Sequence, residues 1–255
     1  MVRALILRSA GINCNDETEK AFQLAGAETE QVHINEIISG AKKLDDYQIL
    51  AIPGGFSYGD DLGGGKILGN ELSNRLKEQL HKFVADKKLV IGICNGFQVL
   101  VKTGILPWEG EQTVTLAQNN SKKFECRWVR LTKMKDCAFT KGIDGMYLPV
   151  AHGEGKLVTK DKDVLEKLQK QVVFKYCDEK GNETSEYPDN PNGSVENIAG
   201  ICNETGTVMG MMPHPERHLS FMNSANWTRN GKKIGDGLKI FQNAVEYAEK
   251  NLVGK

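Results

Sequence analysis

The chain has 255 residues, and its 33 lysines and arginines balance its 33 aspartates and glutamates. Without net charge there is no whole-molecule field to draw it to nucleic acid or to an anionic membrane, so neither is expected as a partner. Its six cysteines, at 14, 94, 126, 137, 177 and 202, make no C-x-x-C pair and no zinc-ligand spacing, which points to a reducing compartment and to neither a disulfide scaffold nor a metal site.

In chain order, residues 3–7 read as a buried strand. The apolar run 4–7 is too short for a signal-peptide core and no run approaches membrane-spanning length, so a cytoplasmic location is expected. A helix follows, with Asp16 as N-cap and Glu19 closing a capping box, and ends near Gly26. Strands are expected at 28–34, 47–52 and 89–93, with a helix over 66–86 before the last of them and another over 95–103 after it. This alternation predicts an α/β fold: a mostly parallel, flavodoxin-like sheet with helices on both faces. Beyond Pro107 more strand-like pieces appear, at 124–131, 146–150, 172–177, 195–202 and 207–212, and an amphipathic helix closes the chain over 236–250. The stretch 178–197, polar and rich in Asn, Gly and Pro, reads as a surface excursion. With no repeat and no long linker, residues 1–255 are expected to form one domain.

Chemistry concentrates where the strands end. Cys94 follows five apolar strand residues and precedes a helix, with Gly92 and Gly96 on either side. Side chains two residues before and after such a corner would collide, so G-x-C-x-G is the thiol form of a nucleophile elbow, and the first N–H groups of the helix favour the thiolate. A buried structural cysteine beside a packing glycine is the plain alternative. At 208–216 another apolar strand runs into Pro-His-Pro-Glu, whose prolines hold it extended, so His214 and Glu216 face the same side. A thiol nucleophile needs such a base and a carboxylate to orient it. The strand over 47–52 ends in Pro53, Gly54 and Gly55, where bare backbone can approach a ligand; an amide from Gly55 or Phe56 could join that of Asn95 as an oxyanion hole.

Other candidates are weaker. His152 and Glu154 imitate the spacing of His214 and Glu216, but a structural or partner-facing role suits them better. Cys14 could lie near the rim of the site, Asp60 and Asp61 lack further carboxylates at ligand spacing, and residues 63–66 lack the ending of a phosphate loop.

Taken together, G-I-C-N-G-F-Q at 92–98, P-G-G-F-S-Y-G-D at 53–60 and M-P-H-P-E-R at 212–217 resemble the class I glutamine amidotransferases over nearly the whole chain. The segments N-N-S-K-K-F-E-C-R-W at 119–128 and P-V-A-H-G-E-G-K at 149–156 are similar to one branch of them, the glutaminase subunits of phosphoribosylformylglycinamidine synthase in purine biosynthesis. The resemblance implies that Cys94 attacks L-glutamine to form a thioester, that His214 is acid and base, and that Glu216 orients it. It also implies substrate contacts at Gly54, Gln98, Asn120, Ser121 and Phe124. The ammonia would pass to a large synthetase subunit, with a small bridging subunit, and ATP and Mg would be used there, with no cofactor in this chain. After Gly59-Asp60, this chain carries Asp61-Leu62-Gly63 where the branch carries tyrosine, leucine and arginine, so the resemblance does not carry partner contacts over to that loop, while the cysteine chemistry is untouched. Two other readings stay open: a cysteine hydrolase of the stress-protein or peptidase type, and a regulatory subunit that binds glutamine without turning it over.

Overall fold

The computed structural model describes residues 1–229 and 234–254. Nine strands form one sheet: β1 (Arg3–Arg8), β2 (Glu28–His33), β3 (Ile49–Ile52), β4 (Leu89–Ile93), β6 (Glu125–Lys133), β7 (Gly145–His152), β9 (Val172–Cys177), β10 (Ile198–Cys202) and β11 (Val208–Met211). A small antiparallel pair, β5 (Val114–Ala117) with β8 (Lys156–Thr159), stands apart. Strand order in the large sheet is β2-β1-β3-β4-β11-β10-β9-β6-β7. The first five run parallel, and the remaining four extend the sheet antiparallel.

The apolar runs of β3 and β4 are buried at every position, as a strand covered on both faces requires. Helix α1 (Asn15–Leu24) carries the chain from β1 outward to β2, whereas α3 (Lys66–Arg75) and α4 (Lys77–Ala85) carry it from β3 the other way to β4. Right-handed crossovers put these two routes on opposite faces. On one face α1 packs against the closing helix α7 (Leu238–Asn251), with the Phe22 and Phe241 rings edge-to-face at 5.0 Å. On the other, α5 (Asn95–Lys102) lies on α3 and across β3, β4 and β11. Two short helices, α2 (Ile34–Ile38) and α6 (Lys162–Leu168), have too few periodic positions to stand out in the sequence.

Several expected boundaries move, each because a local bond competes with the regular element. The single helix over 66–86 breaks at Leu76, where Ser73 Oγ and Asn74 Nδ2 donate back to the carbonyls of Gly69 and Asn70. The capping box at Asp16 and Glu19 does not form: Cys14 is the N-cap, and both acids accept from Gln31 on β2 instead. The strand expected from Val195 starts at Ile198, because Glu196 and Asn197 take positive φ. The polar stretch 178–197 is not all surface. Asn190, Asn192 and Ser194 are buried, and Asn192 Nδ2 donates to the Gly155 carbonyl and the Tyr176 hydroxyl.

Parallel pairing in register sets the site. Ile52 lies opposite Gly92, and Ile93 opposite Met211, so the C-terminal ends of β3, β4 and β11 reach the same edge of the sheet together.

Candidate active site

Cys94 sits at the head of α5 with φ 51° and ψ −105°, a sparsely populated conformation that turns strand into helix within one residue. The flanking glycines permit it. A Cβ on Gly92 would meet the Gly96 carbonyl oxygen at 2.5 Å, and one on Gly96 would overlap the Ile52 carbonyl. The Cys94 amide donates to the Met211 carbonyl at 2.8 Å, and its Sγ lies 3.5 Å from the Ala151 carbonyl oxygen. Only 5% of the residue is exposed.

His214 follows β11 and is anchored on β7, its amide donating to the Pro149 carbonyl at 2.8 Å. The segment is less extended than its prolines suggest. His214 is extended, but Pro215–Arg217 closes a 3-10 turn. Glu216 Oε1 nonetheless lies 2.6 Å from His214 Nδ1, and both side chains are almost wholly buried. Burial disfavours a charged ring, but the Glu216 carboxylate and then the Cys94 sulfur outweigh it and hold the His214 pKa well above its ordinary value. The charged form of the ring is thus favoured in this pocket, beside the Cys94 sulfur and tied to a carboxylate.

The glycine turn lies against this histidine. Gly54 has no room for a side chain, because a Cβ there would be 2.8 Å from His214 Cε1 and 3.3 Å from Cys14 Sγ. Gly55, at φ 140°, bridges Ile12. Beside that bridge the Phe56 amide donates to the Gly11 carbonyl at 2.9 Å, so it is not free for an oxyanion, and of the expected donors Gly55 and Asn95 remain as candidates.

The residues expected to hold substrate divide. Gln98 is buried with both ends of its amide engaged, Nε2 to the Glu154 carbonyl at 2.6 Å and Oε1 to Asn95 Nδ2 at 2.8 Å. Its amide therefore fastens loops to α5, with one Nε2 N–H and one Oε1 lone pair left over. Asn95 extends the same network, accepting from the Ser57 amide and donating to Asp60, so the loop after the glycine turn is tied to the elbow helix. The 119–124 loop is held from within. Asn120 Oδ1 accepts from Lys156 Nζ, and Ser121 Oγ donates to Glu125, while Phe124 is exposed and its ring stands 6.2 Å from that of Phe56.

Sequence reasoning missed the residue that organises that loop. Asn119 is buried and bonds the His152 carbonyl, the Lys123 carbonyl, the Gly155 amide and His152 Nδ1. Buried beneath Gly155, His152 has its pKa lowered to about 4, by burial first and then by the charge of His214. Glu154 does not pair with it, accepting instead from the Gly64 amide at 3.0 Å, so the competing His152 and Glu154 pair is not assembled. Cys14 lies deeper than a rim position: it is fully buried, its Sγ accepts from Arg217 Nη2 at 3.0 Å, and it acts on the His214 ring.

Comparison with known proteins follows the same outline. Residues 1–248 match the family described as CobB/CobQ-like glutamine amidotransferase domain. A relative from Dehalococcoides mccartyi, named phosphoribosylformylglycinamidine synthase subunit PurQ, is 52% identical over 252 residues, covering 97% of this chain and 98% of its own. One of the same name from Methanococcus maripaludis is 46% identical over 266 residues, covering 97% and 98%. Among solved structures, a chain of PurLQS from Thermotoga maritima superposes with a TM-score of 0.75 at 33% identity, covering 96% of this chain and 98% of that one. A glutamine amidotransferase from Thermotoga maritima, 15% identical with a TM-score of 0.52 and covering 98% and 92%, shares the fold.

Proposed function

Because this chain belongs to the CobB/CobQ-like glutamine amidotransferase family, we propose that it is the glutaminase subunit of phosphoribosylformylglycinamidine synthase, releasing ammonia from L-glutamine in purine biosynthesis. Its partners are a small third subunit and a large synthetase, the counterparts of those in the Thermotoga maritima PurLQS complex.

In this reading Cys94 Sγ adds to the carboxamide carbon of glutamine, and the oxyanion settles on the amides of Gly55 and Asn95. As the tetrahedral adduct collapses, the C–N bond breaks and the His214 imidazolium gives its Nε2 proton to the departing nitrogen, which leaves as ammonia. A γ-glutamyl thioester remains. Neutral His214 then takes a proton from water as the water attacks the thioester carbon, and the C–S bond breaks to release glutamate and the thiolate. Glu216 keeps the proton on Nδ1 throughout and stabilises the cation. The chain itself needs no cofactor for these steps, and ATP and Mg are used by the synthetase. No helix among the described residues is long and apolar enough to cross a membrane, and a cytoplasmic location completes the proposal.

The observation that carries it is the 2.6 Å contact between His214 and Glu216, set beside a cysteine at a strained strand-to-helix corner. Acid quenching with radiolabelled glutamine tests it: label should be trapped on Cys94 and be absent from Cys94→Ser. Glutamine binding without a trapped thioester would make the chain a non-catalytic component instead.

A further inference from the structure

We propose that Cys14, His214 and Glu216 form a site for a thiophilic divalent cation, Zn2+ above others, and that its occupation switches the glutaminase off. One ligand atom from each residue lies within 4.8 Å of the others, although the residues come from the head of α1 and from the turn after β11. Zn2+ holds S, N and O ligands at about 2.0–2.3 Å, which places tetrahedral ligands roughly 3.3–3.8 Å apart. Closing the site therefore takes a contraction of up to about 1 Å on the Cys14 side, where the thiol rotates toward a ring that stays in place, while the 2.6 Å between His214 Nδ1 and Glu216 Oε1 opens by roughly 0.7 Å as the carboxylate turns to the metal.

Two further observations point to a ligand there. Glu216 Oε2 is buried and has no hydrogen-bond partner among the described residues, so half of the carboxylate has free lone pairs inside the protein. The missing side chain of Gly54 leaves the gap that a cation would use: a Cβ there would lie 3.3 Å from Cys14 Sγ, 3.4 Å from His214 Nδ1 and 2.8 Å from Cε1. The ion thus belongs on the Nδ1 edge of the ring, between the sulfur and the carboxylate. Cys14 Sγ also contacts Arg217 Nη2 at 3.0 Å and Asn13 Oδ1 at 3.3 Å. Arg217 remains as an outer hydrogen bond to the metal-bound thiolate, and its charge keeps the affinity below that of a closed four-cysteine site.

Binding exchanges protons for the ion. The Cys14 thiol and His214 Nδ1 each release one proton to solvent, the carboxylate changes partner from ring N–H to metal, and water completes the coordination. His214 is left with its remaining proton on Nε2. A ring metallated at Nδ1 holds its Nε2 proton far more tightly than an imidazolium does, so it has no proton to give the departing nitrogen and the thioester does not form. The inhibition would be reversible and confined to the glutamine half-reaction.

Metal binding is measured on the full chain with ZnCl2 against a chromophoric chelator, and with Co2+ for its thiolate charge-transfer absorption. One equivalent should bind with release of two protons, and the Co2+ form should show the thiolate band. Cys14→Ser should lose the band and weaken Zn2+ by about a hundredfold, whereas Cys94→Ser and substitution of the exposed Cys126 should keep both. Absence of the band in the native chain, or its loss in Cys94→Ser but not in Cys14→Ser, would overturn the site. In the assembled synthase, Zn2+ should inhibit glutamine-dependent but not ammonia-dependent synthesis. Equal inhibition of both would overturn the switch. The binding measurements do not depend on turnover, so they stand apart from the glutaminase reading.

Discussion

Replacing Gly54 by alanine adds one methyl group at the point where the glycine turn meets His214, the proposed acid and base. Gly54 does not occupy the left-handed region, so alanine meets no backbone penalty and the whole effect comes from contact. The methyl would stand 2.8 Å from His214 Cε1, whereas carbon atoms pack at about 3.5–4.0 Å. The ring must therefore retreat by roughly 0.7 Å. It cannot do so freely, being 1% exposed and held by the 2.6 Å bond to Glu216. A misplacement of about 1 Å costs on the order of a hundredfold in rate, so Gly54→Ala should lower glutamine-dependent kcat by roughly 30- to 100-fold, with an overpacking cost of about 1–3 kcal/mol in stability. The assay is synthesis by the reconstituted complex with glutamine and, separately, with ammonium chloride, alongside thermal melting of the chain. The ammonium rate should be unaffected. Glutamine turnover within twofold of the native rate would refute the reasoning, because it would show that His214 moves aside without consequence.

Cys94→Ser should abolish glutamine-dependent synthesis while ammonia-dependent synthesis survives; loss of both with the complex intact would contradict the division of labour between subunits. Glu216→Gln should lower kcat on the order of 10³- to 10⁴-fold with little change in KM, and NMR titration should show the His214 pKa falling, since Glu216 is the strongest influence raising it. His152 supplies a pH test of stability. Its folded pKa of about 4 lies below the ordinary 6.5, so the unfolded chain binds this proton first. Its contribution is complete above pH 6.5 and is lost as pH falls through 4, a change of about 3 kcal/mol. Between pH 7.5 and 4, urea unfolding should show the native chain losing about 3 kcal/mol more stability than His152→Gln, and parallel curves would count against it.

What could be read from the sequence was local. The elbow was legible because Gly92, Cys94 and Gly96 sit within five residues and their steric roles depend on one another. His214 and Glu216 were legible for the same reason, although the turn between them is tighter than two prolines suggest. The parallel half of the sheet followed from uninterrupted apolar runs. What stayed hidden depends on partners far along the chain. Nothing near Cys14 announces a histidine 200 residues away, and an asparagine shows its burial only through the groups that satisfy it, as Asn119 and Asn192 do across more than 30 residues. Gln98 was placed correctly on the first turn of its helix, but the direction of its amide is decided by the Glu154 carbonyl. The Phe56 amide, likewise, is turned by Gly11, which a two-glycine motif does not reveal.

The backbone at Cys94 sets selection for stability against selection for chemistry. A non-glycine residue at φ 51° and ψ −105° is strained by about 1–3 kcal/mol, out of the roughly 5–15 kcal/mol that keeps an ordinary domain folded. Glycine would adopt the same corner with little strain. A lineage judged only on how long its protein stays folded would therefore drift toward glycine at this position and lose the sulfur. The strain that cysteine carries there is offset only by the chemistry of its sulfur.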